Sequence, residues 1–457
     1  MNKPKITFCG GVGSVTGANF LLKTNNKKIL VDCGLVQGEK VATEENRKPW
    51  KYEPSEIDVL FVTHAHLDHV GRIPKLVKDG FTGEIYSTSQ TKALAEVVLE
   101  DAVGILAMEA KQDGLEPLYN ADDVGRIFGQ WKTVEYHNAF NYSKGITVLA
   151  KDAGHILGST MYQFSLVDET GTNTKVLFTG DLGNSPAPLL RDTESVGDAE
   201  YIIMESVYGD RNHEGKEGRE NKFMQIINEC MGKGGTLVIP TFSVDRTQVL
   251  LYELNNLVEK KKIPNVPVFV DSPMAIKATA IYAENKQLFN EKIKNQISSG
   301  DDIFSFPHLK FTMTSIESKE IENTHGPKII LAGSGMSIGG RVISHERKYL
   351  PDPKNTILLV GYQSAGSLGR ELADGARKVK IYRDIVKVKA KIEVLYGYSA
   401  HKDSDRLLDF VGTGENLKQV FVVMGEPRSA MYLSQRINDE FNIKAIAPEV
   451  GDVVTLE

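Results

Sequence analysis

The pattern of apolar and polar positions predicts a strand-rich first half of the chain. The apolar runs ITFCGG, ANFLLKT and KKILVDCG read as short strands, and Asn25-Asn26 is typical of a hairpin turn. The run IDVLFVT at 57–63 predicts a fourth strand, and 91–112 has a helical pattern with few breakers. Three more strands are expected in ITVLAKDAGH, TMYQFSLVD and TKVLFTGD. Strands with helices between them favour an αββα sandwich.

The pattern changes after Glu205, where strands alternate with helices. Apolar runs TLVIP, VPVFVDSP, KIILAG and TILLVGY are separated by helical patterns near 217–231, 245–260, 274–284 and 340–349. Such alternation indicates a parallel, Rossmann-like sheet. From Lys378 the chain returns to period-2 strands. We therefore predict an α/β protein in which a Rossmann-like domain at 207–377 is inserted into a sandwich formed by 1–206 and 378–457.

Composition limits the classes of protein that fit. A chain of 457 residues, 41% hydrophobic and 25% charged, suits two globular domains. We expect no membrane span, because no apolar stretch approaches the roughly 18 residues required, and we expect a cytoplasmic location. Three scattered cysteines exclude a disulfide framework and a thiolate zinc site. A net charge of −6 means that any nucleic-acid binding must use a local basic surface or bound metal.

The strongest chemical signal follows the strand at 57–63. His64, His66, Asp68 and His69 fall within six residues, in a chain that has only ten histidines. Imidazole nitrogen and carboxylate oxygen are the ligands of catalytic zinc sites. In extended backbone His64 and His66 point the same way, whereas Asp68 and His69 turn toward a neighbouring position. The spacing favours two adjacent metal ions over one.

Three other residues end predicted strands of the same region. His155 lies in a glycine-flanked turn, and Asp181 ends the run FTGD. Either one alone is more often a turn residue, but their joint position favours metal ligation. Asp32, in ILVDCG, is expected to orient a ligand histidine from behind.

Together these residues resemble the metallo-β-lactamase superfamily, which carries the HxHxDH motif with a later histidine and a later aspartate. The segments around ESVYGDR at 205, IPTFSVDR at 239, DSPMA at 271, GSGM at 333 and SAH at 399 narrow the resemblance to its β-CASP branch of nucleic-acid-processing nucleases. Their order matches that branch along nearly the whole chain. The histidine at 401, in place of the valine typical of DNA-processing members, favours the RNA-acting nucleases.

The resemblance implies a role for each motif residue. One zinc ion would be held by His64, His66 and His155, and a second by Asp68, His69 and His401, with Asp181 bridging the two. Asp68 would also orient or deprotonate the attacking water. His345 would give a proton to the leaving oxygen, with Glu205 fixing its tautomer.

RNA contacts are expected from the glycine-rich loop at 333–340 and from basic residues of the inserted domain. Backbone N–H groups of such a loop suit phosphate. The expected RNA or phosphate contacts are Arg246, Ser334, Gly335, Arg341 and Ser399.

The sequence thus predicts a zinc-dependent ribonuclease with two zinc ions and RNA as its partner. Three other functions remain open: a DNA-acting nuclease of the same branch, a small-molecule ester hydrolase of the same fold, and a scaffold without catalytic activity. Endonuclease and 5′-exonuclease modes, and a homodimer, are also left open.

Overall fold

The computed structural model describes residues 3–38, 43–213, 218–364 and 366–457. Its strands are numbered in chain order. They are β1 (Lys5–Gly10), β2 (Asn19–Thr24), β3 (Lys27–Val31), β4 (Val59–Phe61), β5 (Glu84–Ser87), β6 (Trp131–Thr133), β7 (Phe140–Ser143), β8 (Ile146–Asp152), β9 (Thr160–Val167), β10 (Asn173–Phe178), β11 (Tyr201–Glu205), β12 (Thr236–Pro240), β13 (Val268–Asp271), β14 (Leu309–Phe311), β15 (Lys328–Ala332), β16 (Thr356–Val360), β17 (Lys378–Ile381), β18 (Asp384–Lys387), β19 (Lys391–Leu395), β20 (Gln419–Val423), β21 (Lys444–Ile446) and β22 (Val453–Thr455).

The helices are numbered in the same way. They are α1 (Leu67–Val70), α2 (Ile73–Lys78), α3 (Ser89–Asp113), α4 (Ala121–Ile127), α5 (Arg219–Gly232), α6 (Arg246–Glu259), α7 (Pro273–Glu284), α8 (Glu291–Ser298), α9 (Ser315–Asn323), α10 (Val342–Tyr349), α11 (Leu368–Ala373), α12 (Ser404–Val411) and α13 (Pro427–Phe441). Short 3₁₀ helices cover Glu44–Arg47, Pro54–Glu56 and Lys286–Leu288.

The chain forms two compact units. Unit 1 combines Met1–Asn212 with His401–Glu457, and unit 2 is His213–Ala400. The predicted boundary after residue 377 is wrong. Strand β19 pairs in parallel with β16 of unit 2, so the period-2 segment from 378 to 395 belongs to the inserted unit and not to the sandwich.

Unit 1 contains two seven-stranded sheets, in the orders β22-β1-β2-β3-β4-β5-β6 and β21-β20-β11-β10-β9-β8-β7. Their inner faces share one apolar core. The ring centroids of Phe8 and Phe421 are 5.5 Å apart, and those of Phe61 and Phe164 are 5.2 Å apart, each pair joining one sheet to the other. Burying one such side chain contributes roughly 1.5–3 kcal/mol.

Helices cover the outer faces of these sheets. Leu407 of α12 and Leu433 of α13 pack into a second core with Met204 and Val422 of the second sheet. Helix α3, beside β6, buries Leu94 and other apolar side chains. The predicted αββα sandwich is confirmed. The predicted turn at Asn25-Asn26 is confirmed as well, since both residues have the positive φ that a type I′ hairpin turn needs.

Unit 2 is built on one parallel sheet, in the order β14-β13-β15-β12-β16-β19. Strands β12, β15 and β16 are buried at every position, as expected when both faces of a parallel sheet are covered. The Rossmann-like prediction for the inserted region is confirmed. Strands β17 and β18 form a separate antiparallel hairpin in the same unit.

Among the described residues, no helix is both long enough and apolar enough to cross a bilayer.

Candidate metal centre

The candidate ligands of unit 1 lie just beyond the carboxyl ends of strands. His64 follows β4, His155 follows β8 and Asp181 follows β10, each after a short turn, while Glu205 is the last residue of β11. Strands that end at the same edge of two packed sheets bring these turns together. The result is a cluster of imidazoles and carboxylates inside unit 1.

The first group of ligand atoms comes from His64, His66, His155 and Asp181, which all lie within 4.8 Å of one another. Asp181 Oδ2 is 3.4 Å from Nε2 of His64 and 3.5 Å from Nε2 of His155. The Nδ1 atom of His66 is 3.1 Å from Nε2 of His64 and 3.3 Å from Nε2 of His155. Three imidazoles and one carboxylate therefore converge on a single position.

The second group is formed by Asp68, His69 and Asp181. His69 Nε2 lies 3.9 Å from Asp68 Oδ2 and 3.4 Å from Asp181 Oδ1. On the other side of the ring, His69 Nδ1 is 2.7 Å from Oδ2 of Asp32. Asp32 also accepts hydrogen bonds from the backbone N–H and the hydroxyl of Thr63, both at 2.8 Å. Asp32 thus contacts the side of the His69 ring that faces away from the cluster.

The third group joins Asp181 with Glu205 and His401. His401 Nδ1 is 3.1 Å from Oε1 of Glu205 and 3.9 Å from Oδ2 of Asp181. Glu205 is fully buried, and its Oε1 atom also accepts a hydrogen bond from the backbone N–H of Leu182 at 2.6 Å. Asp181 is common to all three groups, which makes it the central carboxylate of the cluster.

The cluster fits metal ions better than it fits a closed hydrogen-bond network. Nε2 of His69 is buried and has no hydrogen-bond partner among the described residues. Burial, together with neighbouring imidazoles, holds the pKa of His66 and of His155 well below its usual range. Neutral imidazoles carry a lone pair, which is the form that binds a metal. Donor type, convergence and the open Nε2 atom all suit divalent cations.

Two glycines allow the ligand segments to approach this closely. Gly180, which precedes Asp181, has a φ of +55°, and a Cβ there would lie 2.6 Å from Cβ of Thr63. A Cβ on Gly34 would lie 1.6 Å from the carbonyl oxygen of Asp68. Any larger residue at either position would push a ligand segment away from the centre.

The structure gives Glu205 and His345 separate partners, and their predicted pairing stays a prediction. The Glu205 carboxylate is hydrogen-bonded within unit 1, as described above. In unit 2, His345 is 3% exposed and its Nε2 atom is 2.7 Å from Oδ2 of Asp271. The residue that fixes the His345 ring is therefore Asp271. In the sequence, Asp271 stands at the end of an apolar strand and directly before a serine N-cap, and this position could have marked it as a functional residue.

The residues predicted to contact RNA have mostly internal partners. Arg246 is buried and donates to the carbonyl of Val360 at 3.2 Å. Arg341 donates to Asp271 at 2.7 Å and to the carbonyls of Thr312 and Met313. We conclude that both guanidinium groups stabilise the fold of unit 2.

The other residues predicted to contact RNA are small and lie in loops. The Ser334 hydroxyl accepts from the backbone N–H groups of Ile338 and Gly339 and so closes the loop at 333–340. Gly335 lies against Phe242, where a Cβ would be 2.8 Å from the ring. Ser399 is half-buried near the end of unit 2.

Three family models match separate parts of the chain. Residues 21–182 match the metallo-beta-lactamase superfamily domain, and residues 247–372 match the Beta-Casp domain. Residues 385–448 match the Zn-dependent metallo-hydrolase RNA specificity domain. All the ligand candidates up to Asp181 lie in the first match, and His401 lies in the last.

Similar proteins cover nearly the whole chain. Ribonuclease TTHA0252 of Thermus thermophilus is 34% identical over 94% of this chain and 95% of its own length. Transcription termination factor FttA of Methanosarcina mazei is 30% identical over 97% of this chain and 70% of its own length. A solved structure of a protein of unknown function from Enterococcus faecalis V583 has a TM-score of 0.58 at 13% identity, covering 99% of this chain and all of that one, which is a likeness of fold.

Proposed function

The chain belongs to the metallo-β-lactamase superfamily, in the branch that carries a β-CASP domain, and from this premise we propose that it is a metal-dependent ribonuclease. It would hydrolyse phosphodiester bonds of RNA in RNA processing or decay. The observation that carries the proposal is the set of three ligand groups that share Asp181. A relative that is similar over almost its whole length is named a ribonuclease, which supports RNA as the substrate.

We propose zinc as the metal and two ions as the complement. One ion would be held by His64, His66 and His155, and the other by Asp68, His69 and His401. Asp181 would bind both ions. When bound, ions so placed lower the pKa of a water molecule and offset the negative charge that develops on the phosphodiester. Oδ2 of Asp181 faces His64 and His155 and its Oδ1 faces His69, which supports the division for these residues. The assignment of His401 to the second ion rests on the family resemblance.

For three of the imidazoles, a neighbouring side chain fixes which nitrogen faces the centre. Asp32 accepts a hydrogen bond from Nδ1–H of His69, so that Nε2 carries the lone pair. The Thr63 hydroxyl donates to Asp32 and lies 3.1 Å from Nδ1 of His64, where its oxygen can accept. Glu205 does the same for Nδ1 of His401. Ligand geometry is thus set before any metal arrives.

Asp68 would accept the proton of the attacking water. Its side chain is 19% exposed, whereas the side chains of His69 and Asp181 are 0% and 4% exposed. In the reaction the water oxygen bonds to phosphorus, its proton passes to Asp68, and the bond from phosphorus to the leaving ribose oxygen breaks. That oxygen then takes a proton. The role of His345 as the donor of this proton stays a prediction.

A digestion experiment tests the proposed function. Purified protein with zinc is incubated with internally labelled and with 5′-labelled RNA, and the products are sized. We expect cleavage of RNA, loss of cleavage in Asp68→Asn and Asp181→Asn, and no loss in the exposed-site control Asp122→Asn. Internal fragments indicate an endonuclease, and single nucleotides from the 5′ end indicate an exonuclease.

Preferential cleavage of DNA of the same sequence would contradict RNA as the substrate. Hydrolysis of a chromogenic ester without cleavage of RNA would favour a small-molecule hydrolase instead. A homodimer and a cytoplasmic location stay predictions; sedimentation and cell fractionation would check them.

A further inference from the structure

The segment 377–389 of unit 2, named here the basic hairpin, has a charge opposite to that of the chain. It contains six basic residues and one acidic residue, whereas the chain as a whole has a net charge of −6. Its strands are β17 and β18, joined by the two residues Tyr382 and Arg383. The basic residues are Arg377, Lys378, Lys380, Arg383, Lys387 and Lys389, and all of them are exposed.

One face of the basic hairpin is anchored in unit 2. Val379, Ile381 and Val386 belong to an apolar core that also includes Leu359 of β16. The backbone N–H of Lys389 donates to the carbonyl of Leu350, which ties the end of the hairpin to helix α10. Because side chains alternate along a strand, the opposite face must carry its lysines into solvent.

The outer face places like charges side by side. Lys378 and Lys387 are directly opposed across the two strands, and Lys380 is opposed to the exposed Ile385. Like charges in direct cross-strand register are unfavourable. Within the described parts of the chain, none of the six basic residues has a carboxylate within ion-pair distance, and Asp384 is paired with Arg347 of α10. The face therefore has uncompensated positive charge.

An exposed aromatic side chain stands at the tip. Tyr382 is 61% exposed and has a φ of +55°. A two-residue hairpin loop with positive φ at its first position favours glycine there, and a bulky residue in that conformation is an outlier. Its hydroxyl is 3.4 Å from that of Ser344, which limits the directions the ring can take. An exposed ring held at the tip of the basic hairpin offers a stacking surface.

We propose that the basic hairpin binds single-stranded RNA, its lysines contacting successive phosphates and Tyr382 stacking on a base. Positive side chains along a backbone track combined with an aromatic platform are the means by which proteins hold single strands without sequence preference. This inference rests on the proposed function for its choice of polyanion. The basic hairpin would be a second point of contact with the substrate, formed by residues that supply no metal ligand.

The test compares two charge-matched triple variants of the metal-loaded full chain. One is Lys378→Gln/Lys380→Gln/Lys387→Gln. The control is Lys286→Gln/Lys292→Gln/Lys319→Gln, which removes three exposed lysines from elsewhere in unit 2. Binding of a labelled 30-nucleotide RNA is measured by fluorescence anisotropy over a range of salt concentrations, and kcat/KM is measured with this RNA and with a five-nucleotide RNA.

For the hairpin variant we expect Kd to rise about tenfold and the slope of log Kd against log salt to fall by about 2, since each phosphate contact on a single strand contributes roughly 0.7. Its loss of kcat/KM should be larger for the long RNA than for the short one. The control should match the wild type. Tyr382→Gly should weaken binding about fivefold or more while its melting temperature stays the same or rises.

Equal Kd and equal salt slope in the two triple variants would overturn the proposal even if RNA is cleaved normally. Binding that depends on the hairpin without any cleavage would overturn the proposed function and leave the hairpin proposal standing. A polyglutamate of equal charge that binds as tightly as the RNA, with the same dependence on the three lysines, would assign the surface to an acidic protein instead.

Discussion

Nε2 of His345 lies 2.7 Å from Oδ2 of Asp271, and both side chains are buried in unit 2. Asp271 ends β13, and its two oxygens also accept from Arg341, Thr312 and Ser318. Burial raises the pKa of Asp271, but the hydrogen bonds from His345 and these other donors outweigh it and lower the pKa to about 2. One carboxylate thus ties the end of β13 to the helices α9 and α10.

His345→Ala should act mainly on stability. Removing one partner from a buried charged group costs roughly 3 kcal/mol, so we expect the free energy of unfolding to fall by about that much. Zinc content should be unchanged, because the ligand groups are all in unit 1. Chemical denaturation measures the free energy of unfolding, and elemental analysis measures the zinc content. The exposed His325→Ala is the control.

The interpretation of His345 as a proton donor predicts a different outcome. Stability would then be nearly normal, and single-turnover cleavage would slow by roughly 10²–10⁴-fold, the usual scale for loss of a general acid. That result would show that the hydrogen bond to Asp271 is exchanged for one to the substrate.

Glu346 should make the unfolding of unit 2 depend on pH. Burial raises the pKa of this carboxyl to about 8, opposed only by the hydrogen bond from Ser337. Because the folded-state pKa is above the unfolded value, the folded state favours the protonated form. The contribution to stability is complete at pH values below about 4.5 and is lost as the pH rises through 8.

Glu346→Gln removes this ionisation. We expect the variant to gain roughly 2 kcal/mol or more over the wild type at pH 9 relative to pH 5. Urea denaturation at the two pH values measures the difference, with the exposed Glu320→Gln as control. A difference that does not vary with pH would mean that Glu346 keeps an ordinary pKa.

Glu205→Gln should weaken the site without emptying it. The amide can still accept from the N–H of Leu182, but it holds His401 less firmly than a carboxylate does. Loss of such a supporting group typically costs 10–100-fold in metal affinity or activity. Competition with a chromogenic chelator measures affinity. Glu194→Gln, which breaks an exposed carboxylate–histidine pair with His137, should leave affinity unaltered.

The metal content of the purified protein gives the number of bound ions directly. We expect about two zinc equivalents per chain, close to one in His155→Ala, and fewer still in Asp181→Asn, since Asp181 belongs to every ligand group. Dialysis against a chelator should abolish cleavage of RNA, and added zinc should restore it. A wild-type protein that contains almost no metal and cannot be reloaded would exclude the two-zinc arrangement.

Local sequence was sufficient for features that depend on neighbouring residues. The HxHxDH cluster, the Asn25-Asn26 turn and the alternation of strands and helices in unit 2 all follow from short-range spacing. The partner of His345 could not be predicted from short-range spacing, because Asp271 is 74 residues away in the chain. The same is true of the boundary at 377. A period-2 strand looks alike whichever sheet it joins, and only the pairing of β19 with β16 assigns it to unit 2.

The discontinuous course of unit 1 also sets an order of events during synthesis. Every candidate ligand except His401 is synthesised before residues 213–400, and β20, which pairs with β11, is synthesised after them. At about 5–20 residues per second, translation of the intervening unit takes roughly 10–40 s. During that interval the nascent chain lacks both His401 and β20, the strand that pairs with β11 beside Glu205. A nuclease made on a machine that itself consists largely of RNA therefore lacks part of unit 1 until residues 401–457 emerge.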